Sequence, residues 1–420
     1  MPRMSRSRAL AERASYLCAC ALAAVLYLFV PYGGYERMME GKTLCFAALA
    51  LGYLVALCRL APPEGPDMTP MRWCAAAYLG CSALSALLSP FGVSALLGGT
   101  RREGLATLAL YVLLFFCFSR YLSADRRLLY LAAACAALCC LLTLAQLAGR
   151  NPLGLYPAGL GYADGDVAYA GFYAGTSGNI DFTAFLLALV SAVMLAALAR
   201  QRLWLLCAPL ALALWTLGRL GVAAAWAGLA FAALWGLALL LPERRGAALS
   251  VSALVTLAGL ALLRGYDGAN RTLWEASRLL RGDVDAAFGS GRLAIWRDCL
   301  RLAAERPLFG GGPDTLWLRG VEPFSWYRDG VLTPLDITAA HNEYLNILVN
   351  QGALALAAYL ALLGCALARC FRCAREPRFA LCGMGLLCYA AMAAFSVSTP
   401  ITAPYVWLLL AIVQKDEISS

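Results

Sequence analysis

Charge is scarce in this chain: Asp, Glu, Lys and Arg together make up 14% of 420 residues, while 62% are hydrophobic. That balance excludes a soluble globular protein, because no single core could hide so much apolar surface. Lysine is nearly missing, at two residues against 32 arginines, and histidine occurs once, at position 341. A disulfide framework is missing as well. Of 17 cysteines, sixteen lie in or beside apolar runs and only Cys299 stands in a polar stretch, so they read as small, polarizable packing residues. Cys370-Phe-Arg-Cys373 has zinc-like spacing but neither a second pair nor a nearby histidine, and no metal or other cofactor is expected.

What is present is a series of apolar runs of about 17 to 25 residues, the length that crosses roughly 30 Å of hydrocarbon. They fall near 14–32, 43–60, 72–89, 104–120, 127–147, 181–199, 202–217, 220–241, 246–263, 342–364, 378–396 and 399–414. The expected fold class is therefore all-α, a polytopic membrane helix bundle of about twelve transmembrane helices. One large polar loop interrupts it, which divides the chain into an N-terminal membrane bundle (1–263), the loop (264–341) and a C-terminal membrane part (342–420). The first run could be taken for a signal peptide, but no small-residue cleavage site follows it and Tyr35-Glu-Arg-Met leads straight into another run.

Basic residues orient such a bundle, since short cytoplasmic loops collect Lys and Arg. With Arg3, Arg6, Arg8 and Arg13 inside, 18 basic residues fall on inner segments and six on outer ones, leaving ten arginines in the long loop. Both termini are then cytoplasmic and the loop is extracytoplasmic, in the cytoplasmic membrane and beyond the reach of ATP and nucleotide sugars. The net charge of +9 is largely a topology signal and calls for no nucleic acid.

Three outer segments carry polar motifs. In Gly98-Gly99-Thr100-Arg101-Arg102-Glu103-Gly104, two arginines stand where glycine-rich backbone can approach a ligand. They could clamp a phosphate, or snorkel as interfacial anchors; outer arginines run against the topology signal, which favours the clamp. The segment 149–181 holds Tyr156, Tyr162, Tyr169 and Tyr173 and closes on Gly178-Asn179-Ile-Asp181. Its tyrosines fit an aromatic belt or a sugar path equally. Gly218-Arg219 forms a short hairpin whose single arginine faces either the bundle or lipid headgroups.

The long loop has internal order. Leu293, Trp296, Leu300 and Ala303 or Ala304 recur at helical spacing, which predicts an amphipathic helix capped by Ser290 and ended before Pro307. Arg297, Arg301 and Glu305 share a solvated face, with an Arg301 to Glu305 pair. Arg292 falls in the first turn, where free backbone N–H groups attract anions. Gly310-Gly-Gly312-Pro313-Asp314 predicts a flexible turn, and Trp317, Phe324, Trp326 and Tyr327 could stack on sugar rings or lie on the bilayer. Where the chain re-enters the membrane, Asn342, Asn346 and Asn350 recur every fourth residue, a polar stripe that must face the bundle or a wet cavity. His341 stands at its mouth. A lone interfacial histidine is often a boundary residue; the asparagine stripe and the arginines around it favour chemistry.

Gly291-Arg292-Leu-Ala-Ile-Trp296, Arg306-Pro307-Leu-Phe-Gly310-Gly-Gly312 and Ala340-His341-Asn342-Glu343-Tyr344-Leu345 followed by Val349-Asn-Gln-Gly352 together resemble the bacterial O-antigen ligase and O-antigen polymerase family. Gly98–Gly104 and Gly178-Asn179 resemble its earlier outer loops, so the likeness covers nearly the whole chain. Gly218-Arg219 departs from the Ser-containing turn of many relatives, and the spacing from Asp336 to the histidine differs too. The resemblance implies a GT-C-like membrane glycosyltransferase, metal-independent, that takes a glycan from a polyprenyl diphosphate carrier such as undecaprenyl diphosphate at the outer face of the membrane.

The residue types fit that chemistry on their own terms. A departing diphosphate needs its charge neutralised, and without a cation the planar guanidinium groups of Arg101, Arg102, Arg219 and Arg292 are suited to do it. An acceptor hydroxyl needs a general base, and His341 is the side chain that titrates near neutrality. Asn342 and Glu343 could orient the imidazole or the acceptor. The expected partners are thus the lipid-linked glycan donor, a hydroxyl acceptor on a glycan, lipid or wall polymer, and membrane lipid. A lipid-linked glycan flippase could share the arginine-lined cavity without covalent chemistry. A purely structural scaffold gives no reason for the outer motifs, and the motifs of a peptidoglycan polymerase are not evident.

Overall fold

The computed structural model describes residues 2–61, 67–156, 159–163, 171–284, 288–321, 324–328, 331–335 and 337–415. Its framework is helical. In chain order the helices are α1 (Pro2–Leu28), α2 (Met38–Leu60), α3 (Pro70–Leu87), α4 (Val93–Leu97), α5 (Leu105–Tyr121), α6 (Arg126–Leu147), α7 (Ile180–Gln201) and α8 (Cys207–Leu220). There follow α9 (Ala223–Trp235), α10 (Leu237–Leu240), α11 (Arg245–Arg264), α12 (Arg271–Arg281), α13 (Phe288–Glu305), α14 (Glu343–Arg372), α15 (Pro377–Met392) and α16 (Ala403–Gln414).

The expected apolar runs fall on helical segments, that near 220–241 being divided between α9 and α10, but among the described residues six helices, α1, α2, α6, α7, α11 and α14, are long and apolar enough to cross a membrane. The apolar helices α5, α8, α9, α15 and α16 fall short of that length. α7 is the most enclosed of the six, with 72% of its apolar window buried. It packs against α15, α8 and α9, while α14 lies along α3 and α5 along α16. Two fully buried cations of the bundle are bonded, as an apolar medium demands: Arg72 donates to Ser119 Oγ and to the Asp67 carbonyl, and Lys42 Nζ donates to the Leu26 carbonyl at 2.5 Å.

The polar stretch between α11 and α14 folds into α12, α13 and an antiparallel hairpin, β1 (Phe324–Arg328) with β2 (Val331–Leu335), in which Trp326 pairs with Thr333. The hairpin was not foreseen, and it belongs to the loop, not to the bundle. The helix expected from Ser290 starts two residues earlier, at Phe288, and ends at Glu305. Its inward stripe is Ile295, Cys299, Leu302 and Ala303, which pack with Leu316, Ile337, Ala340 and Val349. Leu300, expected on that stripe, is 55% exposed, while the neighbouring Cys299 is fully buried.

The glycine run is not a loose turn. Gly352 breaks α14 at φ +87°, which frees carbonyls that an unbroken helix would use. Gly311 N donates to the Val349 carbonyl and Gly312 N to the Asn350 carbonyl. Ala353 N in turn donates to the Pro307 carbonyl. A Cβ on Gly310 would sit 2.5 Å from the Asn350 backbone, and one on Gly352 2.2 Å from the Leu308 oxygen. Only glycine lets these two backbones meet so closely.

Candidate active site

His341 sits on the last residues before α14, with φ +50°, a left-handed conformation uncommon outside glycine and often found where a side chain must be aimed. The residues around it fix that geometry. Trp296 Nε1 on α13 donates to the Ala340 carbonyl at 2.9 Å, and Ala340 N donates to Asn346 Oδ1 at 3.3 Å. On the other side Asn342 caps α14, its Oδ1 accepting from Leu345 N at 3.0 Å. The histidine is therefore clamped between a loop helix and the start of α14.

Burial, together with the guanidinium charges of Arg101 and Arg292, pushes the imidazole from its ordinary 6.5 down to about 3. At neutral pH it is uncharged and has a lone pair to offer. Two of the arginines singled out from the sequence, far apart along the chain, thus converge on the single histidine.

Arg101 is the more unusual of the two. Its Nε and Nη1 are buried and have no hydrogen-bond partner among the described residues, although a buried charge without partners is costly. Burial lowers its pKa, while the charges of Asp314, Glu103, Glu343 and Asp181 oppose that. The loop that presents it is tied down from the far side of the polar stretch: Asp314 Oδ2 accepts from Gly99 N at 2.7 Å and from Glu103 N at 3.2 Å. Trp317 closes over Gly99, where an added Cβ would lie 2.0 Å from Nε1. The Trp317 indole N–H donates to the Asp314 carbonyl at 3.1 Å.

Arg292 and Asp181 line a cavity of about 210 Å³, walled by Leu220, Val222, Phe395 and Ser396. Burial lowers the Arg292 pKa, and Asp181 acts the other way. Asp181 stands in the first turn of α7, capped by Asn179, whose side chain accepts from Asp181 N at 2.7 Å. Glu103 and Glu343 line a second space of about 20 Å³, with Tyr78, Tyr111, Gln351 and Ser398, room for about one water. Burial first, then the Glu343 and Asp314 carboxyls, raises the Glu103 pKa; Tyr111 Oη donates to Glu103 Oε1 at 3.1 Å.

The remaining sequence candidates lie elsewhere or do structural work. Arg102, at φ +57°, is 43% exposed and reaches Glu40 at 3.8 Å. Arg219 is exposed in the last turn of α8, one residue from Leu220 at the cavity wall. Glu343 is buried and its Oε2 accepts from Ser398 N at 2.8 Å, fastening α14 to the segment before α16. The asparagine stripe is spent on the fold: Asn350 Oδ1 accepts from Thr315 N at 3.1 Å and its Nδ2 donates to the Asn346 carbonyl at 3.0 Å. Loop arginines are committed too, Arg319 to the Val349 and Leu302 carbonyls, Arg306 to the Leu88 carbonyl and Arg301 to Glu305. Tyr156 donates to the Tyr173 carbonyl at 2.6 Å, within an aromatic cluster around Tyr35. Tyr169 and Asp336 lie outside the described residues, as do the side chains of Phe324, Trp326 and Tyr327.

Three acidic residues at the site, Asp314, Asp181 and Glu103, had not been singled out. A signal for the first was present: a glycine-rich turn such as Gly98–Gly104 presents free N–H groups that need an acceptor, and Asp314 follows the other glycine run after a single proline. A search of curated proteins finds no match to the chain. Residues 204–360 match the model of the O-antigen ligase family, so the resemblance read from the histidine motif is borne out over the segment that holds Arg219, Arg292, His341, Asn342 and Glu343.

Proposed function

We propose that this chain is a membrane glycosyltransferase that transfers or polymerises a glycan from a polyprenyl diphosphate carrier onto an acceptor hydroxyl at the outer face of the cytoplasmic membrane. The observation that carries the proposal is the half-buried His341, held uncharged under the charges of two arginines, one of which has buried donors with no partner among the described residues. Such donors suit the oxygens of a diphosphate. In the reaction the acceptor oxygen attacks the anomeric carbon while His341 takes its proton. The bond from that carbon to the diphosphate oxygen breaks, and the lipid diphosphate leaves with its charge held by Arg101 and Arg292. Attack opposite the leaving group inverts the carbon.

The charges also set the order of events. Before the donor arrives, both arginines hold His341 neutral but weakly basic. The bound diphosphate offsets their positive charge, and the imidazole becomes a stronger base when the acceptor must be deprotonated. Arginine neutralises the leaving group in this scheme, so divalent ions have no part in it. Arg102 and Arg219 are assigned to the rim of the donor path, and Glu343 and Asn342 to holding the histidine segment.

The test is donor turnover by the purified chain in lipid vesicles, with polyprenyl diphosphate oligosaccharide and an acceptor glycan, in the presence of chelator. Free polyprenyl diphosphate and an extended or transferred glycan are expected. Movement of intact donor between leaflets, with no covalent change, would replace this reading by a flippase, and a requirement for divalent ion would remove the arginine account of leaving-group stabilisation.

A further inference from the structure

A cavity of about 760 Å³ lies away from His341, between α6, α7, α15 and α16. α7 runs from Asp181 at the histidine end to Arg200 at this one, roughly 30 Å at 1.5 Å per residue. The walls are apolar, with Ala132, Val193 and Leu409 among them, and the basic side chains of Arg126, Arg200, Arg378 and Lys415 line one end. We propose that this cavity binds one anionic phospholipid, its acyl chain against the apolar wall and its phosphate among the basic groups. The inference rests on the membrane location of the bundle and not on the transfer reaction.

The charge pattern selects the occupant. Among the described residues Asp125 is the only acidic one lining the cavity, and its Oδ1 accepts from Arg127 N, Leu128 N and the Tyr16 hydroxyl. Arg200 is held by the Leu240 and Arg375 carbonyls, so its charge is fixed in place but not neutralised. Arg378 is paired with Glu376 at 3.0 Å. Lys415 Nζ donates to the neutral Ser123 hydroxyl at 2.5 Å, with the charges of Glu12, Arg8 and Arg378 acting on it. Arg126, exposed in the first turn of α6, adds a cation where the helix end is already positive. Among the described residues the sum is a surplus of positive charge over an apolar slot. A zwitterionic headgroup would satisfy it only in part, and a free phosphate would leave the slot unfilled. Basic pockets between membrane helices at one face of a bilayer take anionic headgroups in this way, and the volume is within the range of small-molecule sites.

The experiment is native mass spectrometry of the full chain in detergent, titrated separately with phosphatidylglycerol, phosphatidylcholine, polyprenyl phosphate and glycerol phosphate. One phosphatidylglycerol per chain is expected to bind in preference to the other three. The double variant Arg126→Ala/Lys415→Ala should bind it roughly thirtyfold more weakly, about 2 kcal/mol at 1.4 kcal/mol per tenfold. Ala132→Phe, which narrows the apolar wall and leaves every charge in place, should also weaken it and serves if the double variant does not fold. Equal binding of phosphatidylcholine, preference for polyprenyl phosphate, full competition by glycerol phosphate, or unchanged affinity in the folded variants would each overturn the assignment.

Discussion

A single histidine in 420 residues makes the electrostatics of the site directly observable, since one labelled imidazole gives one resonance. Bringing that ring from 6.5 to about 3 corresponds to a difference of roughly 5 kcal/mol between its two protonation states. Burial is the largest of three causes, Arg101 the second and Arg292 the third. Being the smallest of three, the Arg292 contribution is at most a third of the whole, so Arg292→Gln should raise the pKa by about one unit and leave it well below 6.5. Inorganic pyrophosphate, lying against both arginines, should raise it further in the wild type than in Arg292→Gln. The assay is a 15N-histidine titration of purified protein read at pH 5, where an ordinary histidine is almost wholly protonated and this one should be neutral. The sign for stability follows: the native pKa is below the unfolded one, so the contribution of this group is nil above pH 6.5 and becomes increasingly destabilising as pH falls toward 3. Imidazolium in the wild type at pH 5 would refute the reasoning at its root.

Other consequences separate the site from its frame. Arg101→Gln should lower kcat/KM by roughly a hundredfold, the scale for loss of one transition-state donor. Arg102→Ala should change it about twofold or less, because its 3.8 Å pair with Glu40 is half exposed; equal losses in steady-state assays would contradict the division of labour. Gly352→Ala must adopt φ +87° and bring Cβ to 2.2 Å from the Leu308 oxygen, so a thermal unfolding scan should show a loss of at least about 2 kcal/mol. Asn342→Ala removes the α14 cap and should cost about 1 kcal/mol by the same scan, with catalysis reduced only as far as His341 is misaimed.

The extent to which this was legible beforehand varied with the physics behind each feature. Apolar runs have a length set by the bilayer, and the expected runs fall on helical segments, that near 220–241 being divided between α9 and α10, although among the described residues six helices are long and apolar enough to cross by that measure alone. Arg101, Arg292 and His341 were named from residue type, and the structure brings them together. Sequence spacing could not sort them from Arg102 and Arg219, since which of two adjacent arginines turns inward depends on a tether, Asp314, that is distant in sequence. The asparagine stripe had the right period and another purpose, because a polar stripe can satisfy loop backbone as well as line a wet path. Gly310–Gly312 looked like a flexible turn because glycine signals backbone freedom. Here that freedom is spent on close approach to a broken helix, a contact that no local pattern announces.

The central claim, that His341 is the base of a glycan transfer, is most directly tested by comparing the wild type with His341→Ala in a reconstituted assay that measures donor binding and product separately. The account predicts transferred or lengthened glycan from the wild type alone, with donor affinity of the variant within a few fold because the arginines remain. Turnover by His341→Ala at the wild-type rate would contradict it.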